Sequence, residues 1–398
     1  MKNEYGFYRD ALRGRDMPLG FVDLDAIEKN AEDIANSAEA EGKTVRVVTK
    51  SLRSVDVIRR VLETSDVFEG LMAFRADEAA FLSEKGFDDI LVAYPVWNED
   101  EIRAACEADA EITLMVSEAE HVERVGEIAS EMDVEVPVCI DVDMSVDYPA
   151  LPHFGVYRSK VQSPDDVLEL ASVIDETSGV YLNAVMGYEA QIAGLGGRNP
   201  ANSAAKNAVI RRLKKRSKDT VLERRGDAID ALEDAGYELG FVNGGGTGSL
   251  EFTAADPSVT EVAVGSGFYF PHIFDYHEGI YYEPAAGYAV EVTRKPAEDI
   301  YTCRGGGYVA SGPPGVDKAP KPFIPEGAEL TETESAGEVQ TPVRYEGNEE
   351  LRRGDPVIFR YSKAGEMCER FDSLLLLRGD EGIVDEVPTY RGEGRCFM

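Results

Sequence analysis

Long apolar runs, paired cysteines and an excess of basic charge are all missing from this sequence, and each absence removes a class of function. No stretch is long and apolar enough to span a bilayer. The opening residues, MKNEYGFYRDALRGRD, are charged from the start and lack the apolar core of a signal peptide, so a cytoplasmic protein is expected. Five cysteines, Cys106, Cys139, Cys303, Cys368 and Cys396, form an odd set without CxxC spacing, which argues against a disulfide framework and against a zinc knuckle. There are four histidines and no HExxH motif, and His272 and His277, five apart, are poorly spaced for one helical face. Lys and Arg number 41 against 75 Asp and Glu, a formal net charge of −34. That field repels nucleic-acid phosphates and anionic lipid, so neither is an expected partner. The acids run along the whole chain rather than forming a tail, as suits a salt-rich cytoplasm whose ions screen self-repulsion.

What is present is enough for a folded core. Hydrophobic residues make up 43% and charged residues 29% of 398, so the chain has room for a barrel of about 250 residues and one smaller domain. From Leu19 onward, short apolar runs alternate with helical patterns: GFVDLD, TVRVVTK, EGLMAF, DILVAYP, EITLMVS, VPVCIDVDM, GVYLNAVMGYE, GFVNGGGTGS and TEVAVGSGFYF. Such alternation means parallel pairing, and this many units predicts an α/β fold with a closed (β/α)8, TIM-like barrel. Nine candidate strands leave one outside the eight. After about His277 the pattern turns to short strands divided by Gly, Pro and acidic turns, the grammar of a β-domain. The expected division is a barrel over 18–276 and a C-terminal β-domain over 277–398, with 1–17 associated with the latter. Residues 316–338, rich in Pro and acid, read as an exposed loop carrying little chemistry.

Barrel enzymes place their sites at the C-terminal ends of strands. Lys50 ends TVRVVTK, where an enclosed pocket would lower its pKa and make the amine nucleophilic, as a Schiff-base lysine requires. A surface lysine is the ordinary alternative for one residue taken alone. Two glycine turns near the end of the barrel shift the balance. Asn243 to Ser249 (NGGGTGS) follows the penultimate strand and Gly265, Ser266, Gly267 follow the last, where barrels of this kind bind phosphate through backbone N–H groups. Asp141 and Asp143 end VPVCIDVDM, and period-two spacing puts both on one side; they suit a metal, acid–base work, or pairing with a cation such as Arg158. Tyr188, Glu189 and Gln191 follow another strand, offering a ring to stack on a cofactor and polar groups to orient it, or simply packing.

The stretches RVVTKSLRS, VNGGGTGS, VAVGSGFYF, TCRGGGYVASGP, GEVQTP and YSKAGEMCERFD together resemble fold-type III pyridoxal 5′-phosphate (PLP) enzymes, which share an alanine-racemase-like architecture. Within them the chain looks most like the D-threonine aldolase and D-serine dehydratase relatives, the amino acid deaminase/aldolase group. The resemblance implies PLP held as a Schiff base on Lys50, with Gly246, Thr247, Gly265 and Ser266 where the phosphate lies, and a homodimer whose subunits complete each other's sites. It implies an enzyme acting at the α-carbon of a D-amino acid or a β-hydroxy amino acid, by aldol cleavage or by dehydration and deamination. A metal-independent racemase and a non-catalytic PLP carrier are the alternatives.

Two departures from the family stand out. Where these relatives carry a histidine two residues after the lysine, this chain has Leu52, and where they carry two metal ligands on the C-terminal domain it has Tyr361 and Lys363. The expectation is therefore a metal-independent site. Lys363 would supply fixed positive charge, and Tyr361, acidified by it on the same face of a strand, would exchange the α-proton; the ordinary alternative is that both are solvated strand residues.

Overall fold

The computed structural model describes residues 4–149, 151–379 and 381–398. Eight parallel strands close into a barrel in chain order. With Leu19–Asp23 as β1, these are β2 (Thr44–Val48), β3 (Phe68–Ala73), β4 (Asp89–Pro95), β5 (Glu111–Val116), β6 (Val136–Asp141), β7 (Val180–Gly187), β8 (Phe241–Gly244) and β9 (Glu261–Val264). Pairing of Thr44 with Glu261 and of Val47 with Val264 seals β2 against β9.

Alternation along each strand decides what faces the barrel axis. On β2, Val45 and Val47 pack outward into the main core, whereas Val48 joins an inner cluster with Met72, Leu91, Cys139, Met186 and Ala263. One layer lower, Arg46 is 2% exposed; it donates to Glu261 at 2.6 and 2.9 Å and to Asp89 at 2.7 Å, while Asn243 donates to Glu261 at 2.7 Å. This paired polar plug and the apolar layer above it close the interior, so a ligand can enter only at the end where Lys50 lies.

The strand left over from the nine is the first. β1 lies outside the barrel, antiparallel to β10 (Ala286–Arg294) and parallel to β16 (Ser373–Arg378). The barrel strands thus begin at Thr44, whereas the barrel domain was expected to start near residue 18. The second sheet also holds β11 (Ile300–Arg304), β12 (Lys321–Ile324), β13 (Glu329–Leu330), β14 (Gln340–Arg344), β15 (Pro356–Arg360) and β17 (Gly382–Pro388). No helix among the described residues is long and apolar enough to cross a membrane.

The longest helix, Ala204–Asp234, precedes β8 and begins at Ser203, whose side chain accepts from the Lys206 N–H. It is mostly polar, but Val221, Arg225, Ala228, Ile229 and Leu232 are buried, a helical stripe with a charged residue inside it.

Candidate active site at the barrel mouth

A cavity of about 700 Å³ opens above the C-terminal ends of the barrel strands and is lined by Lys50, Tyr94, Arg158, Tyr188, both glycine turns and loops of the second sheet. Lys50 sits in a single 3-10 turn, Thr49–Ser51, directly after β2. That turn is held from below. Thr49 is fully buried, its hydroxyl oxygen 3.0 Å from the Met72 carbonyl and 2.7 Å from the Glu78 carboxyl group, while Glu78 accepts from the Phe74 N–H at 2.8 Å. Burial pushes the Glu78 carboxyl up to about 7.

Lys50 Nζ donates to the Tyr94 hydroxyl at 3.3 Å. Arg158 donates to the same oxygen at 3.0 Å, and its guanidinium lies 4.7 Å from the Tyr94 ring centre and 4.9 Å from that of Tyr188. Burial alone would raise the Tyr94 pKa, yet the two adjacent cations outweigh it and hold the phenol below its usual value. Tyr188 has one cation nearby, and burial pushes it up to about 12. Tyr94 is the penultimate residue of the strand DILVAYP and was open to the strand-end rule that pointed to Lys50; Arg158 comes from an irregular segment with no local signal.

Both glycine turns reach this cavity through Gly246, Thr247, Gly265 and Ser266. Gly245 has φ +89°, a conformation that glycine adopts without penalty. A Cβ on Gly265 would come 2.6 Å from Ser51 Oγ and 2.8 Å from Val48 Cβ, and one on Gly246 would come 3.0 Å from Ala193 Cβ and 3.3 Å from the Tyr188 ring. The turns are tied together where Thr247 Oγ1 accepts from the Gly267 N–H at 2.9 Å. They form a narrow cradle of small residues and N–H groups opening beside Lys50, which fits a phosphate.

Glu189 has a different role from the one expected for it. It is fully buried, accepts from Ser249 Oγ at 2.6 Å, the Gly245 N–H at 3.3 Å and Thr253, and pairs with Arg225 at 2.7 Å. Arg225 also meets Asp256 at 2.6 Å and the Gly187 carbonyl at 2.7 Å. The glycine turn after β8 is therefore anchored by a buried ion network whose arginine comes from the long helix.

Several expectations are corrected. Gln191 does not line the cavity; it is buried and donates to the Met144 carbonyl at 2.6 Å. Tyr361 is fully buried outside the cavity, its hydroxyl has no hydrogen-bond partner among the described residues, and burial among Cys368, Tyr269 and Tyr308 raises its pKa far above the usual value. Lys363 does line the cavity and donates to Ser311 Oγ at 3.1 Å. The two separate because β15 ends at Arg360 and the chain bends after it, so alternation no longer applies. The same bend brings Gly365 against the Lys50 carbonyl, where an added Cβ would lie 2.6 Å away. Asp317 and Lys318 also line the cavity, so the segment from 316 onward is more than an exposed loop.

Asp141 and Asp143 diverge as well. Asp143 accepts from Ser145 at 2.9 and 2.6 Å and from Gln162 at 2.7 Å, which fixes the loop after β6. Asp141 stays at the barrel end, where burial raises it to about 6 against the opposing pull of Arg158. His277 lines the cavity, and burial lowers it to about 3, so its imidazole is neutral; His272 falls to about 4 for the same reason. Among the described residues no group of three or more His, Cys, Asp or Glu side chains is gathered as a metal would need. At the two positions where the resemblance puts metal ligands stand a buried phenol and an ammonium, and these do not fit a metal ion.

The profile of the alanine racemase N-terminal domain matches residues 22–272. A 3-hydroxy-D-aspartate aldolase of Paracoccus denitrificans (strain Pd 1222) is 25% identical over 271 residues, which is 66% of this chain and 64% of the relative, so the match spans just under two thirds of that protein. Among solved structures, a D-threonine aldolase from Filomicrobium marinum aligns with TM-score 0.79 and 18% identity over 96% of both chains. A D-threo-3-hydroxyaspartate dehydratase from Delftia sp. HT23 aligns with TM-score 0.74 and 17% identity over 94% of this chain and 98% of that one. At these identities the structures establish the shared fold. The cofactor of this family is PLP, and the phosphate cradle beside an enclosed, strand-end lysine suits it. The chain belongs to the alanine racemase N-terminal domain family of PLP-dependent proteins.

Proposed function

We propose that this chain is a PLP-dependent lyase acting on a β-hydroxy amino acid of D configuration, by aldol cleavage or by dehydration, with Lys50 as the covalent anchor of the cofactor. The observation that carries this reading is the Lys50 amine in the cavity, bonded to an acidified Tyr94 and facing the two glycine turns. Lys50, Gly246, Thr247, Gly265 and Ser266 would hold the cofactor, with Tyr188 and Arg158 beside it, and when bound it supplies a sink for the electron pair released as a bond to the substrate α-carbon breaks.

The chain's own residues then have to move protons and fix charge. Aldol cleavage takes a proton from the β-hydroxyl, whereas dehydration takes one from the α-carbon and returns one to the leaving hydroxyl. Either needs a group that gains and loses a proton near neutral pH. Tyr94 meets that need better than Tyr361, because two cations favour its phenolate and it faces the cavity. Lys363 can present positive charge to a substrate hydroxyl or carboxylate, part of what a divalent ion does elsewhere. The relatives named above, an aldolase and a dehydratase of 3-hydroxyaspartate and an aldolase of D-threonine, support this substrate class.

The test is turnover by PLP-loaded protein of D- and L-threonine, serine and 3-hydroxyaspartate, before and after exhaustive chelation. We expect cleavage or dehydration of D isomers that survives chelation. Racemisation without lyase products would favour the racemase. A cofactor spectrum indifferent to every amino acid would leave a carrier, and activity lost with EDTA and restored by manganese or zinc would contradict the metal-free site.

A further inference from the structure

The carboxyl of Glu78, on the helix Ala76–Glu84, is fully buried directly behind the Lys50 turn. Its bonds can be followed atom by atom. Oε2 accepts from the Phe74 N–H at 2.8 Å, and Oε1 lies 2.7 Å from the Thr49 hydroxyl oxygen. That hydroxyl oxygen also lies 3.0 Å from the Met72 carbonyl. Thr49 has a single hydroxyl proton, and with Glu78 ionised both of these neighbours can only accept. One of the two contacts would then be oxygen against oxygen with no proton between them, in the buried interior. A proton on Oε1 completes the chain. Phe74 N–H donates to Oε2, Oε1–H donates to Thr49, and the Thr49 hydroxyl donates to the Met72 carbonyl.

Among the described residues, the groups that face this carboxyl leave that proton in place. Arg53 comes from the loop after Lys50, but its guanidinium donates to the Lys50 carbonyl at 3.0 Å and pairs with Glu369 at 2.5 Å. Arg75 and Asp77, beside Glu78 on the start of its helix, pair with each other at 2.9 Å near the surface. Tyr390, from the C-terminal segment, faces Glu78 with a neutral hydroxyl that is itself buried. Burial remains the largest influence on Glu78 and lifts it from 4.5 to about 7.

Thr49 and Lys50 are chain neighbours in one 3-10 turn. Glu78 ties the first through its side chain and Arg53 ties the second through its carbonyl, so the backbone is held on both sides of the lysine whose amine enters the cavity. We propose that Glu78 carries a proton in the resting protein and is a positioning residue for Lys50, its O–H donating to Thr49. This rests on the reading of Lys50 as the cofactor anchor. Ionisation of Glu78 breaks the chain of bonds and loosens the placement of the amine. The fold favours the neutral carboxyl, so the stability this group gives is whole below 4.5 and is lost as pH rises to about 7.

The experiment compares the full chain with Glu78→Gln and Thr49→Val. Glutamine copies the protonated acid, offering an amide oxygen to the Phe74 N–H and an N–H to Thr49, and it does not titrate. At about pH 6, Glu78→Gln should bind PLP within about threefold of the unaltered chain. At about pH 8.5 it should bind at least about tenfold tighter, because the titrations of PLP and Lys50 are common to both and cancel in the ratio. The melting temperature of Glu78→Gln should rise relative to the unaltered chain between about pH 4.5 and about pH 7. Thr49→Val should melt cooperatively and bind PLP at least about tenfold more weakly at about pH 6. An affinity ratio that stays flat with pH, or Glu78→Gln weakened alike at both pH values, overturns the proposal. So does Thr49→Val with unchanged PLP affinity, and that result decides even if Glu78→Gln does not fold. If no PLP attaches to Lys50 but the pH-dependent melting difference appears, the anchor reading fails and the protonated Glu78 stands. If PLP attaches to Lys50 and the ratio is flat, the anchor reading stands and the role of Glu78 is overturned.

Discussion

Two tyrosines show how strongly surroundings decide what one side chain can do. Tyr94 lies at a strand end in the cavity, bonded to Lys50 and Arg158, and is more acidic than a free phenol. Tyr361 lies in the core, with no partner for its hydroxyl among the described residues and a pKa raised well beyond reach of neutral pH. Tyr94→Phe should lose on the order of 10²-fold or more in kcat, as expected when a positioned proton-transfer group is removed. Tyr361→Phe should leave kcat within about threefold and change stability by roughly 1 kcal/mol or less, because the hydroxyl it deletes makes no hydrogen bond. Steady-state kinetics and urea melts of both variants check this; a large loss in Tyr361→Phe with Tyr94→Phe unaffected would reverse the assignment. The place of Lys50 at the cavity was legible in the sequence because a single rule, sites at barrel strand ends, needs only the strand pattern. Tyr361 was misread because the rule of alternation was carried past Arg360, where the strand stops.

At the level of elements, periodicity shows eight barrel strands and a β-rich remainder, but not which of nine strands stands apart. β1 has the same short apolar pattern as its neighbours, and its partners, β10 and β16, are more than 250 residues away in sequence; a local pattern holds no information about such pairing. The long helix poses the same difficulty. Its arginines look alike in sequence, yet Arg225 alone among them has its side chain fully buried between Glu189 and Asp256. Arg225→Met would leave two carboxylates buried without their cation, which costs about 3–5 kcal/mol. Because Glu189 also fixes Ser249 and the Gly245 N–H, the loss should extend to the glycine turn and weaken PLP binding at least tenfold. Thermal melts and PLP titration of the variant test both parts; an unchanged PLP affinity would mean that the turn holds its shape without the network.

Across the whole molecule, the loops that wall the cavity also leave apolar side chains bare. Val309 and Val316 are 60% and 69% exposed, and between them Pro313 and Pro314 line the cavity. Exposed apolar surface beside a site is what a second subunit would cover, in keeping with the homodimer that the family resemblance implies. In high salt, where the charge of −34 is screened, light scattering should give about twice the chain mass, and a fully active monomer would contradict a shared site. Everything else rests on one covalent bond. The most direct measurement is borohydride reduction of the PLP-loaded protein followed by peptide mass spectrometry, with Lys50→Ala as the control. The account predicts a single phosphopyridoxyl group on Lys50 and none in the variant, whose melting curve should remain cooperative. A modification on Lys363 or any other lysine in place of Lys50, or one that persists in Lys50→Ala, would contradict it.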